Sequence, residues 1–445
     1  MTRTSHDLHF NRRALLAGLG ATLVAPTALF AQVPTNPDVV VIGAGAAGLA
    51  ATRSLMGAGH SVALIEGSGR IGGRAYTETS TFGVPYDVGA HWLHNDSSNP
   101  FNRYGRDNRF TIYEARDEYR VFDGSTEVSE SDQNALWRTW DSMYDAIGTA
   151  ADRGQDISVA KATERVTGPW AATAGFGIGP WAMAKDLDGF STTDWWNTPD
   201  GDDWFCEEGF GALLAHWAQG IPVSLDTKAT KVDWSGDGVS VETTKGTIQA
   251  KAVVVTVSTG VLAAGDIDFV PALPADKVES FSAISMGTYD HIALQFSHDI
   301  FDMGKDGYLM FKIGDDGKGF GVLSNAGGHG IAYCDVGGSW ADELERQPIE
   351  ARVDYALSTL RNMLGSDIDS SFVKGTATSW GQNPWTLGSY ASAEPGAYRM
   401  RGTLRQSIGD RIFFAGEACH RSLWSTVAGA HLSGQDVARD VADEI

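Results

Sequence analysis

Three glycines, Gly43, Gly45 and Gly48, followed 18 residues later by the acid Glu66, have the types and spacing needed to hold a phosphorylated ligand. The first glycine permits a tight strand-to-helix turn. The second lets a pyrophosphate approach the backbone, and the third lets helix and strand pack closely. Ala46 and Ala47 open the helix, whose unpaired N–H groups and positive dipole end suit phosphate. Glu66 is placed to accept hydrogen bonds from a ribose. A second backbone nest follows at Gly72-Gly73 between the cations Arg70 and Arg74, which suits a long diphosphate cofactor. The pattern marks a dinucleotide without saying whether it is NAD or FAD. The alternatives without chemistry are a plain βαβ packing turn and a surface Gly-Gly turn. His91 and His94 have the spacing of a metal pair, but nothing nearby supplies further ligands, so no metal is expected. His91 is read as a local hydrogen-bonding residue.

These residues require an apolar frame. Residues 39–42 are a short β-branched run, as expected for a parallel strand buried on both faces. Residues 46–56 favour a helix that Gly57 and Gly59 stop, and residues 62–65 form a second strand ending on Glu66. Residues 131–147 can form an amphipathic helix. Segments 231–234, 239–243 and 247–250 read as a β-meander, and 253–257 as another buried strand. A helix is expected over 349–364, a buried strand over 412–415 and a helix from Val427 onward. Seven of the 14 tryptophans fall between residues 101 and 205. Most are expected in the core, although aromatic faces can also hold cationic or apolar chains.

With 445 residues, 42% hydrophobic content and 53 glycines, the chain is long enough for two domains and too apolar for disorder. A formal charge of -22 disfavours nucleic acid and anionic membranes, and would draw in cationic ligands; a merely solvated acidic surface is the plain alternative. Three cysteines without a CxxC cannot make a disulfide framework, and at least one must stay unpaired. Arg12-Arg13 precede an Ala/Leu/Gly-rich run to Ala31, which reads as a secretory signal of the twin-arginine kind, with an uncleaved anchor as the alternative. The expected location is therefore periplasmic or secreted, after export of a folded precursor by the twin-arginine machinery. No other segment is long and apolar enough to span a bilayer.

Five motifs carry a family resemblance. Residues 70–77 resemble the R-x-G-G-R-x-x-T signature of flavoprotein amine oxidases, and 86–95 resemble the G-A-x-W-I-H-G element of polyamine oxidases. The run 286–296 is similar to M-G-T-x-x-K-I-x-L-x-F, with His291 where the family has lysine. Residues 379–396 resemble W-G-x-N-P-x-x-x-G-S-Y, and 411–434 resemble F-A-G-E-A-T-H-R…S-T-x-x-G-A-x-L-S-G, with Cys419 and Ala428 as departures. The resemblance runs from about residue 38 to the end and is closest to polyamine oxidases.

It implies FAD, with cofactor contacts at Gly43, Gly45, Ala46, Ala47, Gly48, Glu66, Arg70, Gly73, Arg74, Gly89, Ala90, Trp92, Val257, Trp380, Gly416, Glu417, Thr426 and Val427. Tyr390 would be a wall of an aromatic cage, His94 a substrate-positioning group, and His291 the residue holding a water. Ser389 stands where monoamine oxidases have the cysteine bonded to flavin, so FAD is expected to be non-covalent. The implied fold is α/β: a glutathione-reductase-like FAD-binding (Rossmann) domain from discontinuous segments 36–100, 206–285 and 396–445, and an inserted α+β substrate domain from 101–205 and 286–395. The implied reaction is oxidation of an amine, a polyamine in the first instance, with dioxygen reduced to peroxide. Two alternatives stand beside it: an exported dehydrogenase of another amine using a cytochrome or quinone, and a flavoprotein that binds amines without turnover.

Overall fold

Val39–Ile42 sits at the centre of the first sheet because its four apolar side chains are buried on both faces. In the computed structural model, which describes residues 34, 36–116, 118–199, 201–366 and 368–445, it pairs in parallel with Val62–Ile65 on one side and Ala252–Val255 on the other. Ile412–Phe414 completes the sheet beyond Ala252–Val255. Neighbouring strands thus come from three remote stretches of chain. The expected export signal lies outside the described residues. Among those residues no helix is long and apolar enough to cross a membrane.

Helices Ala46–Gly57 and Val427–Glu444 cover one face of this sheet, sharing a core with Val39, Val41, Leu49, Leu55 and Val441. Two glycines set how close they come. A Cβ on Gly48 would lie 1.8 Å from the Gly43 carbonyl oxygen, and one on Gly434 would lie 2.1 Å from that of Ala47. On the other face Val40, Ile42, Val253 and Val255 pack against the meander, whose strands are Ala229–Asp233, Val239–Thr243 and Gly246–Ala250. Asp268–Val270 joins its edge in parallel.

A seven-stranded sheet forms the rest of the frame. Its order is Phe372–Ala377, Tyr289–Phe296, Ile331–Gly337, Gly321–Ala326, Gly307–Phe311, Tyr119–Asp123, Thr126–Glu127. Helix Ile349–Leu364, as expected from its pattern, covers one face with Leu357 and Leu360. The helix expected at 131–147 is longer, Glu130–Asp152, because Ser129 accepts from the Asp132 N–H and acids occupy its first turn. All three cysteines are buried and free.

One buried carboxyl pair makes this fold pH-sensitive. Asp290 accepts from Thr378 Oγ1 at 2.6 Å and from the Trp380 N–H at 3.0 Å, and Glu345 accepts from the Gly381 N–H at 2.6 Å. Burial, with the neighbouring Asp290, pushes Glu345 up to about 8. Between its unfolded value and that point the folded chain holds a proton that the unfolded chain has released, so stability falls as pH rises. Glu345→Gln is expected to flatten that decline, raising the melting temperature at pH 9 by on the order of a few degrees while leaving pH 5 unchanged. Parallel melting curves for the two proteins at both pH values would refute this.

Candidate active site

The two sheets and their helices line a cavity of about 1440 Å³. At one end is the start of helix Ala46–Gly57. Gly45 is its N-cap, and a Cβ there would meet nothing within 4 Å, so the backbone faces open space. Gly43, at φ +102°, makes the turn. Glu66 is fixed by the Ala44 N–H on Oε2 (2.7 Å) and the Ser68 N–H on Oε1 (2.8 Å). Arg70 braces the second nest, donating to the Gly73 carbonyl at 2.8 Å and lying over the Tyr76 ring.

The start of helix Val427–Glu444 opens into the same cavity. Thr426 caps it, accepting from the Gly429 N–H at 2.9 Å. Arg74 and Glu417, 343 residues apart, meet at 2.8 Å beside it. Arg74 also donates to the Ser389 carbonyl, and Glu417 accepts from the Ser425 N–H. Two helix N-termini and a half-buried arginine therefore converge on one cavity, an arrangement that fits a diphosphate and an electron-rich ring system. Gly73, Gly89, Ala90, Trp92, Val257, Trp380, Gly416 and Val427 line it with Ala46 and Ala47. Gly48 does not line it; as its contact with Gly43 shows, its part is packing.

Tyr390, Tyr289, Trp181, Trp140 and Trp195 line the same cavity with aromatic rings. Two histidine–aspartate pairs stand there, and each arises from strand register. His94 and Asp203 are opposite residues of one antiparallel pair, with Nδ1 and Oδ1 2.6 Å apart. Burial opposes a charge on His94, but the Asp203 carboxylate holds its pKa above the ordinary value. His291 and Asp335 are opposite residues in the seven-stranded sheet, again 2.6 Å apart. His291 Nε2 lies 3.1 Å from the Gly89 carbonyl.

The profile of the family described as flavin containing amine oxidoreductase matches residues 46–195 and 171–442, nearly the whole described chain. The chain belongs to that family.

Relatives of this chain include lysine-specific histone demethylase 1 homolog 1 of Oryza sativa subsp. japonica, 29% identical over 91% of this chain and 52% of the relative. Polyamine oxidase 4 of the same organism is 28% identical over 93% of this chain and 90% of its own. The chain spans about half the length of the first of these. A solved putrescine oxidase bound to putrescine superposes with a TM-score of 0.76 at 21% identity, covering 92% of this chain and 99% of the other, and shares its fold. The family's cofactor is a flavin.

Several expectations for this family member need revision. His291 was expected to hold a water, yet both ring nitrogens face protein acceptors, so each carries a hydrogen or shares one with Asp335 and neither is free. His91, expected as a local hydrogen-bonding residue, is 4% exposed, stacks on Tyr333 and lies tilted against Trp92, and neither ring nitrogen makes a well-formed hydrogen bond among the described residues. Burial and the neighbouring His291 push its pKa well down. Of the seven tryptophans between 101 and 205, Trp137, Trp140, Trp181 and Trp195 line the cavity and do not lie wholly in the core. Asp203, Asp335 and Tyr289 were overlooked. The signal for Asp335 was an acid in the apolar run 331–337, since a charge inside a buried strand needs a partner.

Proposed function

We propose that this chain oxidises an amine with a non-covalently held FAD. The convergence of both helix N-termini and the Arg74–Glu417 pair on one cavity, open to an aromatic chamber at Tyr390, is the observation that carries this. FAD supplies an acceptor for the hydride that leaves the α-carbon of a neutral amine; a C=N bond forms, and water converts it to an aldehyde and the released amine. The residues orient and shield: Tyr390, whose hydroxyl donates to the Ala182 carbonyl at 3.3 Å, walls the chamber, and His94 is held by Asp203 for positioning. Ser389 supports non-covalent binding, because its hydroxyl is engaged with both the N–H and the carbonyl of Tyr289 and serine forms no thioether. A polyamine substrate draws support from likeness to the rice polyamine oxidase and from net charge. Two electrons and two protons passed to dioxygen give hydrogen peroxide. Residues 12–31 support export of the folded precursor, and loss of periplasmic protein on Arg12→Lys/Arg13→Lys would test it.

A second reading concerns the electron acceptor. With no ring nitrogen of His291 free to hold a water, slow reaction with dioxygen and passage of electrons to a cytochrome- or quinone-type acceptor is favoured. Amine-reduced enzyme is then expected to transfer electrons to a dye at least about tenfold faster than to air-saturated buffer. Stoichiometric peroxide at the full dye rate would overturn that reading. No bleaching of the flavin by any amine under anaerobic conditions would overturn amine oxidation itself.

A further inference from the structure

Segment 86–92 contributes Gly89, Ala90 and Trp92 to the cavity wall, and side chains from the seven-stranded sheet and the loop after Phe372–Ala377 hold its backbone. The Asp87 N–H donates to the Tyr333 hydroxyl at 3.1 Å, and Trp380 Nε1 donates to the Val88 carbonyl at 3.2 Å. The Gly89 carbonyl faces His291 Nε2 at 3.1 Å. On its other side the segment lies against Arg74. The Ala90 N–H donates to the Arg74 carbonyl at 3.0 Å, and a Cβ on Gly89 would fall 2.0 Å from that oxygen. Arg74 in turn pairs with Glu417, so a displacement of Gly89 is passed to that pair.

A backbone carbonyl only accepts, so the contact between His291 and Gly89 is a bond only while Nε2 carries a hydrogen. A second hydrogen then lies between Nδ1 and Asp335 Oδ1, which are 2.6 Å apart. If that proton leaves, the one hydrogen left on the ring goes to the fully buried carboxylate, the stronger acceptor. Nε2 then turns a lone pair toward the Gly89 carbonyl, and attraction becomes repulsion. We infer that His291 is a positioning residue: its Nε2–H, kept in place by the proton shared with Asp335, clamps Gly89 and holds segment 86–92 as a wall of the flavin site. The inference rests on the reading that this cavity holds the flavin, and is independent of which amine is oxidised. Burial opposes a charge on His291, but the bond to Asp335 and its charge hold the pKa above the ordinary value. The other described titratable groups facing the ring are Tyr333 on the opposite strand, His91 and Asp87 in the clamped segment, and Tyr289 and Asp290 on its own strand.

The test dilutes flavin-loaded protein between pH 7 and pH 10, without substrate, and reads released flavin by its fluorescence. Glu345→Gln is the background throughout, because Glu345, pushed up to about 8, lies beside the Asp290 carboxylate that holds the Trp380 N–H. In that background the flavin dissociation constant is expected to rise about tenfold as pH rises and the clamp opens. Adding His291→Phe should give the weaker value already at pH 7, with no further change at higher pH. Adding Asp335→Asn should keep the tight value up to pH 10, because the amide N–H serves Nδ1 and leaves the ring hydrogen on Nε2. A flat profile in the Glu345→Gln protein overturns the inference, whether or not the added variants fold. A decline that Asp335→Asn leaves in place overturns it too. Protein that takes up no flavin at any pH overturns the flavin site itself.

Discussion

Gly48→Val is expected to give protein without bound flavin and with a much lower melting temperature. The new Cβ would fall 1.8 Å from the Gly43 carbonyl oxygen and 3.0 Å from both the Gly43 carbonyl carbon and Thr256 Oγ1. Two of these three atoms are backbone, so a rotamer change cannot relieve the overlap. Helix Ala46–Gly57 would have to move off Val39–Ile42, and its first turn would leave the cradle that Gly45 opens. Overpacking by a methylene or two costs about 1–3 kcal/mol, and displacing backbone costs more. Gly57→Ala is the matching control: its Cβ would meet nothing within 4 Å, so it should hold flavin and gain about 0.5–1 kcal/mol. Flavin absorbance per protein and thermal melting read both. Full flavin occupancy in the valine variant would sink the assignment of Gly48 to packing.

Arg401→Ala should be nearly as damaging, for an electrostatic reason. Arg401 grips Asp194 with Nε and Nη2 at 2.5 and 2.7 Å, donates Nη1 to the Ala418 carbonyl at 3.0 Å, and stacks over Trp424. Asp194 is fully buried and also accepts from the Ala393 N–H at 2.8 Å. The pair ties helix Thr192–Trp196 to two other stretches of chain. Removing the arginine strands a buried carboxylate, at a cost of about 3–5 kcal/mol. Because Trp195 and Trp424 both line the cavity, the substitution should also change tryptophan fluorescence. Adding Asp194→Ala is expected to restore part of the loss, the signature of a coupled pair. A single variant that melts within about a degree of the parent would refute the role.

How much could be read in advance differs between the two ends of the cavity. The cofactor end was legible because local sequence determines it: four apolar residues, spaced glycines and an acid at a strand end make one turn whatever surrounds them. The reactive end was not. His94 and His291 were visible as residues, but their partners Asp203 and Asp335 are 109 and 44 residues away and meet them only through strand register. Register depends on which strands pair, and one sequence without homologues does not fix that. The tryptophans of 101–205 show the same limit. Their periodicity marks helix faces, yet whether a face meets a neighbour or a cavity is decided by what the second sheet places opposite.

The order Val62–Ile65, Val39–Ile42, Ala252–Val255, Ile412–Phe414 also governs how this chain comes into being. On the ribosome the first two strands and helix Ala46–Gly57 emerge early, but the third strand and then the fourth follow only after long intervening stretches. Until residues 412–444 appear, the Ala252–Val255 edge lacks a partner and the apolar face of Ala46–Gly57 lacks the helix that covers it. Contacts so remote in sequence form slowly and leave the nascent chain exposed to aggregation. A ligand that binds only the closed arrangement draws the last step forward by mass action. Yield of folded protein should therefore follow the supply of cofactor in the producing cell more closely than the rate of synthesis.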